Sequence, residues 1–192
     1  PPLPVALLVA EELAYALAYL HALADEAGRP LGLVHRDVSP ANVLLSRAGD
    51  VKLGDFGIAK ATHLAEITRG GARKGKYAYM SPEQVTGAAL TGASDQFALG
   101  ITLYECLTGA RPFDAGNPLD TMERVREARL PELDALDADL ATVVARCLAR
   151  SARDRFVDMT AVARALATAR RTRAPASPLD VARYVEANAP AA

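Results

Sequence analysis

Residues 35–57 read HRDVSPANVLLSRAGDVKLGDFG, and the order of turn formers and apolar triplets in this stretch decides the fold. Val43-Leu44-Leu45 and Val51-Lys52-Leu53 flank Ala48-Gly49-Asp50, which predicts a β-hairpin. Ahead of the hairpin, Leu33-Val34-His35 reads as a very short strand. Between the two, His35-Arg36-Asp37-Val38-Ser39-Pro40-Ala41-Asn42 sets a carboxylate and an amide five residues apart. The returning strand is expected to bring Asp55 of Asp55-Phe56-Gly57 back near Asn42, with Gly57 allowing a sharp turn where a loop departs.

Outside the hairpin the pattern is helical. Leu13, Leu17 and Leu20 recur at helical spacing within a helix predicted over 7–27, stopped by Gly28 and Pro30. Residues 57–77 show no periodicity, and Gly70, Gly71 and Gly75 predict a mobile loop. From Ser94 to Thr108, Phe97, Leu99, Ile101, Leu103 and Leu107 cover all sides of a helix that Gly109 ends, the pattern of a helix buried at the centre of a domain. Asn117-Pro118 opens a short helix carrying Leu119, Met122 and Val125. Leu140, Val143, Val144 and Leu148 line a further helix, and Met159, Val162 and Leu166 another, whose closing Arg170-Arg171 would complement its C-terminal dipole. A last short helix is predicted over 178–187 with Ser177 as its cap.

The 192 residues suit one domain, 51% apolar and 23% charged, with a net charge of −1 that does not point to nucleic acid as a partner. The two cysteines, Cys106 and Cys147, sit in apolar helical patterns and read as buried, reduced thiols. No apolar run near the ~18 residues of a membrane span stands out. The opening ten residues lack the basic flank, initiator Met and cleavage site of a signal peptide, so the expectation is a cytoplasmic chain whose first residue falls within a domain.

Phosphoryl transfer needs one group to orient the attacking hydroxyl, and hard oxygen ligands to hold Mg²⁺ on the phosphates. Asp37 suits the first task; Asn42 and Asp55 suit the second. The whole constellation, including Ser81-Pro82-Glu83 downstream, resembles the signature set of eukaryotic-type (Hanks-type) bacterial Ser/Thr protein kinases. The resemblance runs from about Leu7 to Arg170 and is reinforced by Leu17-Ala18-Tyr19-Leu20-His21, by Tyr79-Met80-Ser81-Pro82-Glu83-Gln84 and by Ser94-Asp95 ahead of Gly100-Ile101. It implies the C-terminal lobe of a kinase-like fold, mainly α with a small β-hairpin, over 1–171, and a C-terminal extension over 172–192.

The same resemblance implies roles. Asp95 would hold the backbone of the catalytic loop, and Arg155 would pair with Glu83. Leu44 would floor the adenine ring of ATP, His35 and Phe56 would belong to a packed column joining two lobes, and Arg36 would bind a phosphorylated loop residue, with Thr68 the first candidate and Thr62 the second. The partners implied are a protein substrate and the kinase's own N-terminal lobe.

Three departures from the family pattern stand out. The Gly-rich loop, strand lysine and helix glutamate of the N-terminal lobe do not occur in these residues, whose first lysine is Lys52. This chain alone is therefore expected to be inactive. The family's lysine two residues after the catalytic aspartate is Ser39 here, and the threonine before the docking turn is Lys76. The two changes look reciprocal, with Lys76 supplying the charge and Ser39 the hydroxyl. Other readings are a pseudokinase that binds partners on the same surface and a small-molecule phosphotransferase of similar fold.

Overall fold

The computed structural model describes residues 1–55, 76–130 and 132–189. Phe56, Gly57, Thr62, Thr68 and most of the loop predicted over 57–77 lie outside the described residues. The architecture is mainly helical, and the one sheet among the described residues is the predicted antiparallel hairpin: β1 (Val43–Leu45) pairs with β2 (Val51–Leu53) in the register Val43 with Leu53, Leu44 with Lys52 and Leu45 with Val51. A mainly α architecture with one small β-hairpin is what the sequence leads one to expect.

Helix α1 (Leu3–His21) starts earlier and stops earlier than its spacing predicts. A proline in the first turn has no intrahelical donor to lose, so Pro4 opens the helix. At the other end Asp25 accepts hydrogen bonds from the amides of Ala27 and Arg29, each at 2.9 Å, and the amide of Leu31 donates to Leu23 O at 2.9 Å. That side-chain-capped turn outcompetes continued helix through Ala22, Leu23 and Ala24. The strand predicted at 33–35 does not form, because the amides of His35 and Arg36 are taken by the Asp95 carboxylate.

Helix α3 (Gly92–Thr108) follows the short α2 (Pro82–Thr86) and forms the axis of the core. Ten consecutive residues, Ser94 to Leu103, are buried, and Gly109 ends the helix in the left-handed region at φ 75°. Leu7, Leu13 and Leu17 of α1 meet Phe97, Leu99 and Ile101 of α3, together with Leu140 and Val144 of α5 (Ala138–Cys147) and Val162 and Leu166 of α6 (Met159–Arg171). The approach of α3 to α5 needs a glycine, since a Cβ on Gly100 would lie 2.7 Å from Cys147 Cβ. Helix α4 (Pro118–Glu127) is capped by Asn117, which accepts from the Asp120 amide at 3.0 Å.

By length and composition α1 could cross a membrane, with 19 residues and a mean hydropathy of 1.6. Glu11 and Glu12 interrupt the apolar run, which hid it from the sequence reading, although the average stays high. Here its apolar face packs against α3 and α6. Cys147 is buried and Cys106 only half-buried; burial pushes the Cys147 thiol up to about 12, so it behaves as a small apolar side chain.

The arginines closing α6 do more than complement its dipole. Arg170 pairs with Glu11 of α1 and donates to Ala176 O at 3.0 Å, while Arg171 donates to Thr168 Oγ1. Helix α7 (Pro178–Asn188) then lies against α1 and β1.

Candidate active site

The site is built on Asp95, which stands in the first turn of α3 and is 1% exposed. Its Oδ2 accepts from the amide of His35 and its Oδ1 from that of Arg36, both at 2.8 Å, and His21 Nε2 bonds Oδ2 at 2.8 Å. The helix N-terminus and these partners together compensate a buried carboxylate. They also hold Arg36 at φ 69°, a left-handed conformation that a residue with a Cβ adopts only when its surroundings impose it. In the sequence His21 stands out only as the end of the Leu17–His21 motif, with no role of its own. The signal lay in Gly92, where a Cβ would stand 2.5 Å from His21 Nδ1, so that only glycine lets the imidazole cover the start of α3.

Buried His35 joins the loop to the hairpin. Its Nε2 lies 3.1 Å from Gly54 O, and its Nδ1 accepts from the Asp37 amide at 3.3 Å. A carbonyl can only accept and an amide only donate, so the ring is the neutral Nε2–H tautomer. Burial holds its pKa below the ordinary histidine value and keeps it in that form.

A 3-10 turn over Pro40–Asn42 then brings Asn42 between the Asp37 loop and the end of the hairpin. Asn42 Nδ2 donates to Asp37 O at 2.7 Å, and the Gly54 amide donates to Asn42 O at 2.8 Å. The loop bearing Asp37 and the strand end bearing Asp55 are thus stitched through one residue. Asp55 is exposed at φ 54°, and Leu44 on β1 is 58% exposed on the open side of the hairpin.

Lys76 begins a 3-10 turn, Lys76–Tyr79, and its Nζ donates to Asp37 Oδ2 at 2.9 Å. Ser39 is buried. Arg36 is half-buried, with its Nε enclosed and without a hydrogen-bond partner among the described residues. Phe56, Gly57 and Thr68, which the sequence also singles out, lie outside the described residues.

The segment after Lys76 is fixed from two sides. The Ser81 amide donates to Gln84 Oε1 at 2.9 Å and the Gln84 amide to Ser81 Oγ at 3.3 Å, a capping box that opens α2. Gln84 Nε2 also donates to Arg36 O at 2.9 Å, tying α2 to the loop that carries Asp37. Sequence reasoning places Gln84 within the Tyr79–Gln84 motif but gives it no role, although Ser81-Pro82-Glu83-Gln84 carries the capping-box spacing. Beside it, Arg155 Nη1 meets Glu83 Oε1 at 2.7 Å and Nη2 meets Oε2 at 3.0 Å. Ser94 Oγ donates to Glu83 Oε1 at 2.8 Å. Arg155 Nε donates to Ala149 O at 2.9 Å, and Nη1 donates to Ala93 O at 2.7 Å. Burial pushes the Glu83 carboxyl up, but the hydrogen bonds and charge of Arg155 outweigh it and hold the group below its usual value.

Asn42 and Asp55 are the residues suited to a hard cation. Because Asn42 spends its Nδ2 on Asp37 O, its Oδ1 is the side-chain atom suited to ligate a cation, and the Asp55 carboxylate offers a second hard oxygen. No group of three or more His, Cys, Asp or Glu suited to a metal occurs among the described residues. A two-residue oxygen set fits Mg²⁺, which takes one or two protein ligands and fills its shell with phosphate oxygens and water.

Residues 5–166 match the protein kinase domain family. The tyrosine-protein kinase MasK of Myxococcus xanthus is 42% identical over 171 residues, covering 87% of this chain and 26% of that protein. The serine/threonine-protein kinase drp72 of Corynebacterium efficiens is 35% identical over 190 residues, covering 98% and 35%. The serine/threonine-protein kinase PknL of Mycobacterium tuberculosis is 39% identical over 140 residues, covering 71% and 35%. The chain spans about a quarter to a third of the length of these curated relatives.

Proposed function

The chain belongs to the protein kinase domain family, and on that premise we propose that it is the large lobe of a Ser/Thr protein kinase that moves the γ-phosphoryl group of ATP to a protein hydroxyl. The observation that carries the proposal is the stitching of Asp37, Asn42 and Gly54-Asp55 into one surface. Asp37 accepts the proton of the substrate hydroxyl as its oxygen bonds to the γ-phosphorus and the bond to the departing ADP oxygen breaks. Asn42 and Asp55 would hold Mg²⁺, which would supply charge neutralisation at the nucleotide phosphates. Leu44 offers an apolar floor for adenine. Asp95 and His35 act through the backbone, keeping the Asp37 loop and the hairpin end in register.

Lys76 takes the part of the missing loop lysine in this proposal. Its contact with Asp37 Oδ2 supports that role, since an ammonium there both orients the carboxylate and places positive charge beside the transferring group. Lys76→Met in the complete kinase is expected to lower kcat by about 10²–10³. An unchanged kcat would assign Lys76 to the surface and end the exchange of roles with Ser39.

Pro40 and the Met80-Ser81-Pro82-Glu83 segment support serine or threonine, rather than tyrosine, as the acceptor. The test is transfer from labelled ATP in the presence of Mg²⁺, followed by identification of the phosphorylated amino acid. Joined to an N-terminal lobe that clamps the nucleotide, the chain is expected to yield phosphoserine or phosphothreonine; alone, the 192 residues are expected to show no useful turnover. Phosphotyrosine as the sole product would overturn the acceptor class. Robust turnover by the lone chain would overturn the need for the other lobe. Retention of Asn42 and Asp55 argues against a binding-only pseudokinase. The proposal places the lobe in the cytoplasm, where its ATP is.

A further inference from the structure

Helix α7 sits on the far end of the hairpin that carries Asn42 and Asp55. Gly49, in the turn between β1 and β2, is buried at φ 91°, and a Cβ on it would stand 2.0 Å from the carbonyl oxygen of Pro178, the first residue of α7. Backbone therefore lies directly on backbone. Beside this contact Leu45 of β1 packs on a cluster formed by Val5 and Leu8 of α1, Ala176, and Val181 of α7, with Val181 0% exposed. The approach to α7 is tethered as well. Arg170, paired with Glu11, donates to Ala176 O, and the Ser177 amide and hydroxyl donate to Asp180 Oδ2 at 2.8 and 2.7 Å.

Each strand of the hairpin has only three residues, about 10 Å of rise. Asn42 immediately precedes β1, and Asp55 follows β2 by two residues. A ladder that short cannot absorb a tilt at its turn; it passes the tilt to its open end. We infer that α7 is a brace that sets the pitch of the hairpin, with Gly49 as the positioning residue through which it acts, so that seating of α7 governs how Asn42 and Asp55 face each other. The mechanical coupling stands on the packing alone; its consequence for metal binding rests on the phosphoryl-transfer reading.

Val181→Asp lifts α7 by burying a charge against α1 and leaves every hairpin residue in place. Hydrogen–deuterium exchange on the full chain reads the effect at the amides of Ser46 and Gly54, which donate to Asp50 O and Asn42 O. The brace predicts at least tenfold faster exchange at both when residues 178–188 lose protection, unchanged exchange over residues 97–103 of α3, and wild-type protection in Val181→Ile. Hairpin exchange unchanged while 178–188 is unprotected overturns the inference. If Val181→Asp strips protection from α3 too, Tyr184→Ala, which trims the rim of the same cluster, replaces it with the same two outcomes. In the complete kinase the brace further predicts a KM for Mg-ATP raised at least threefold, with the KM for the peptide acceptor unchanged. A kinase that transfers no phosphate would sink the functional reading, while the exchange data would still decide the brace.

Discussion

Asp37→Asn in the complete kinase is expected to lower kcat by about 10²–10⁴, the range supplied by a positioned general base. The substitution removes the proton acceptor while keeping the size of the side chain and the backbone contacts of the loop. The contact that locates the loop, Asn42 Nδ2 to Asp37 O, uses the backbone carbonyl and survives. So do the two amide bonds to Asp95. The Lys76 ammonium loses an ion-pair partner, but the pair is only partly enclosed and contributes about 1 kcal/mol or less. Steady-state kinetics beside a thermal melt separates the two consequences. A large drop in kcat with an almost unchanged melting temperature is the expected pairing, and wild-type kcat would remove Asp37 from the chemistry.

Arg155→Ala carries the largest expected cost in stability, about 3–5 kcal/mol. Arg155 is buried, and its guanidinium bonds Glu83 twice, donates to the carbonyls of Ala149, Ala93 and Arg150, and lies 4.8 Å from the ring centroid of Phe97. Alanine would leave an enclosed carboxylate with Ser94 as its one side-chain partner among the described residues, and would open a void against the core. For a chain of this size the loss corresponds to roughly 6–20 °C in melting temperature. Urea unfolding measures it directly, and a change under 1 kcal/mol would show the pair to be ornamental. The sign of the pH dependence gives a second check. Because the Glu83 carboxyl is held below its ordinary value, its contribution is complete at neutral pH and is lost as the pH falls through the folded-state value. The alanine variant should lack that component.

Much of the fold was legible because local chemistry and global packing agree over most of the chain. The hairpin follows from two apolar triplets around Ala48-Gly49-Asp50, and α3 from an apolar surface on every side. Helices α4 to α7 lie where capping residues and spacing put them. The failures share one cause, a local preference overridden by a distant partner or a specific turn. Residues 33–35 look extended but pair with no strand among the described residues, and Asp95 takes amides that a strand would offer. Helix α1 stops at His21 although alanines follow, because Asp25 caps a turn. Arg170 reaches across to α1 instead of resting on its own helix end.

Of the site, Asp37, Asn42 and Asp55 stood out through their resemblance to the kinase signature set, since an aspartate in a loop is by itself most often a cap or turn residue. The supports were harder to see. His21 acts because Gly92 makes room for it, Gln84 acts through a backbone carbonyl, and Gly49 matters for the side chain it lacks. None of these relations leaves a periodic signature.

The most direct test of the central claim is a crystal structure of the complete kinase with Mg²⁺ and a non-hydrolysable ATP analogue, read at the metal. The account predicts Asn42 Oδ1 and an Asp55 carboxylate oxygen at about 2.0–2.1 Å from Mg²⁺, with Asp37 facing the γ-phosphate and not ligating the ion. A metal held by other residues, or Asn42 and Asp55 on opposite sides of the hairpin, would contradict it.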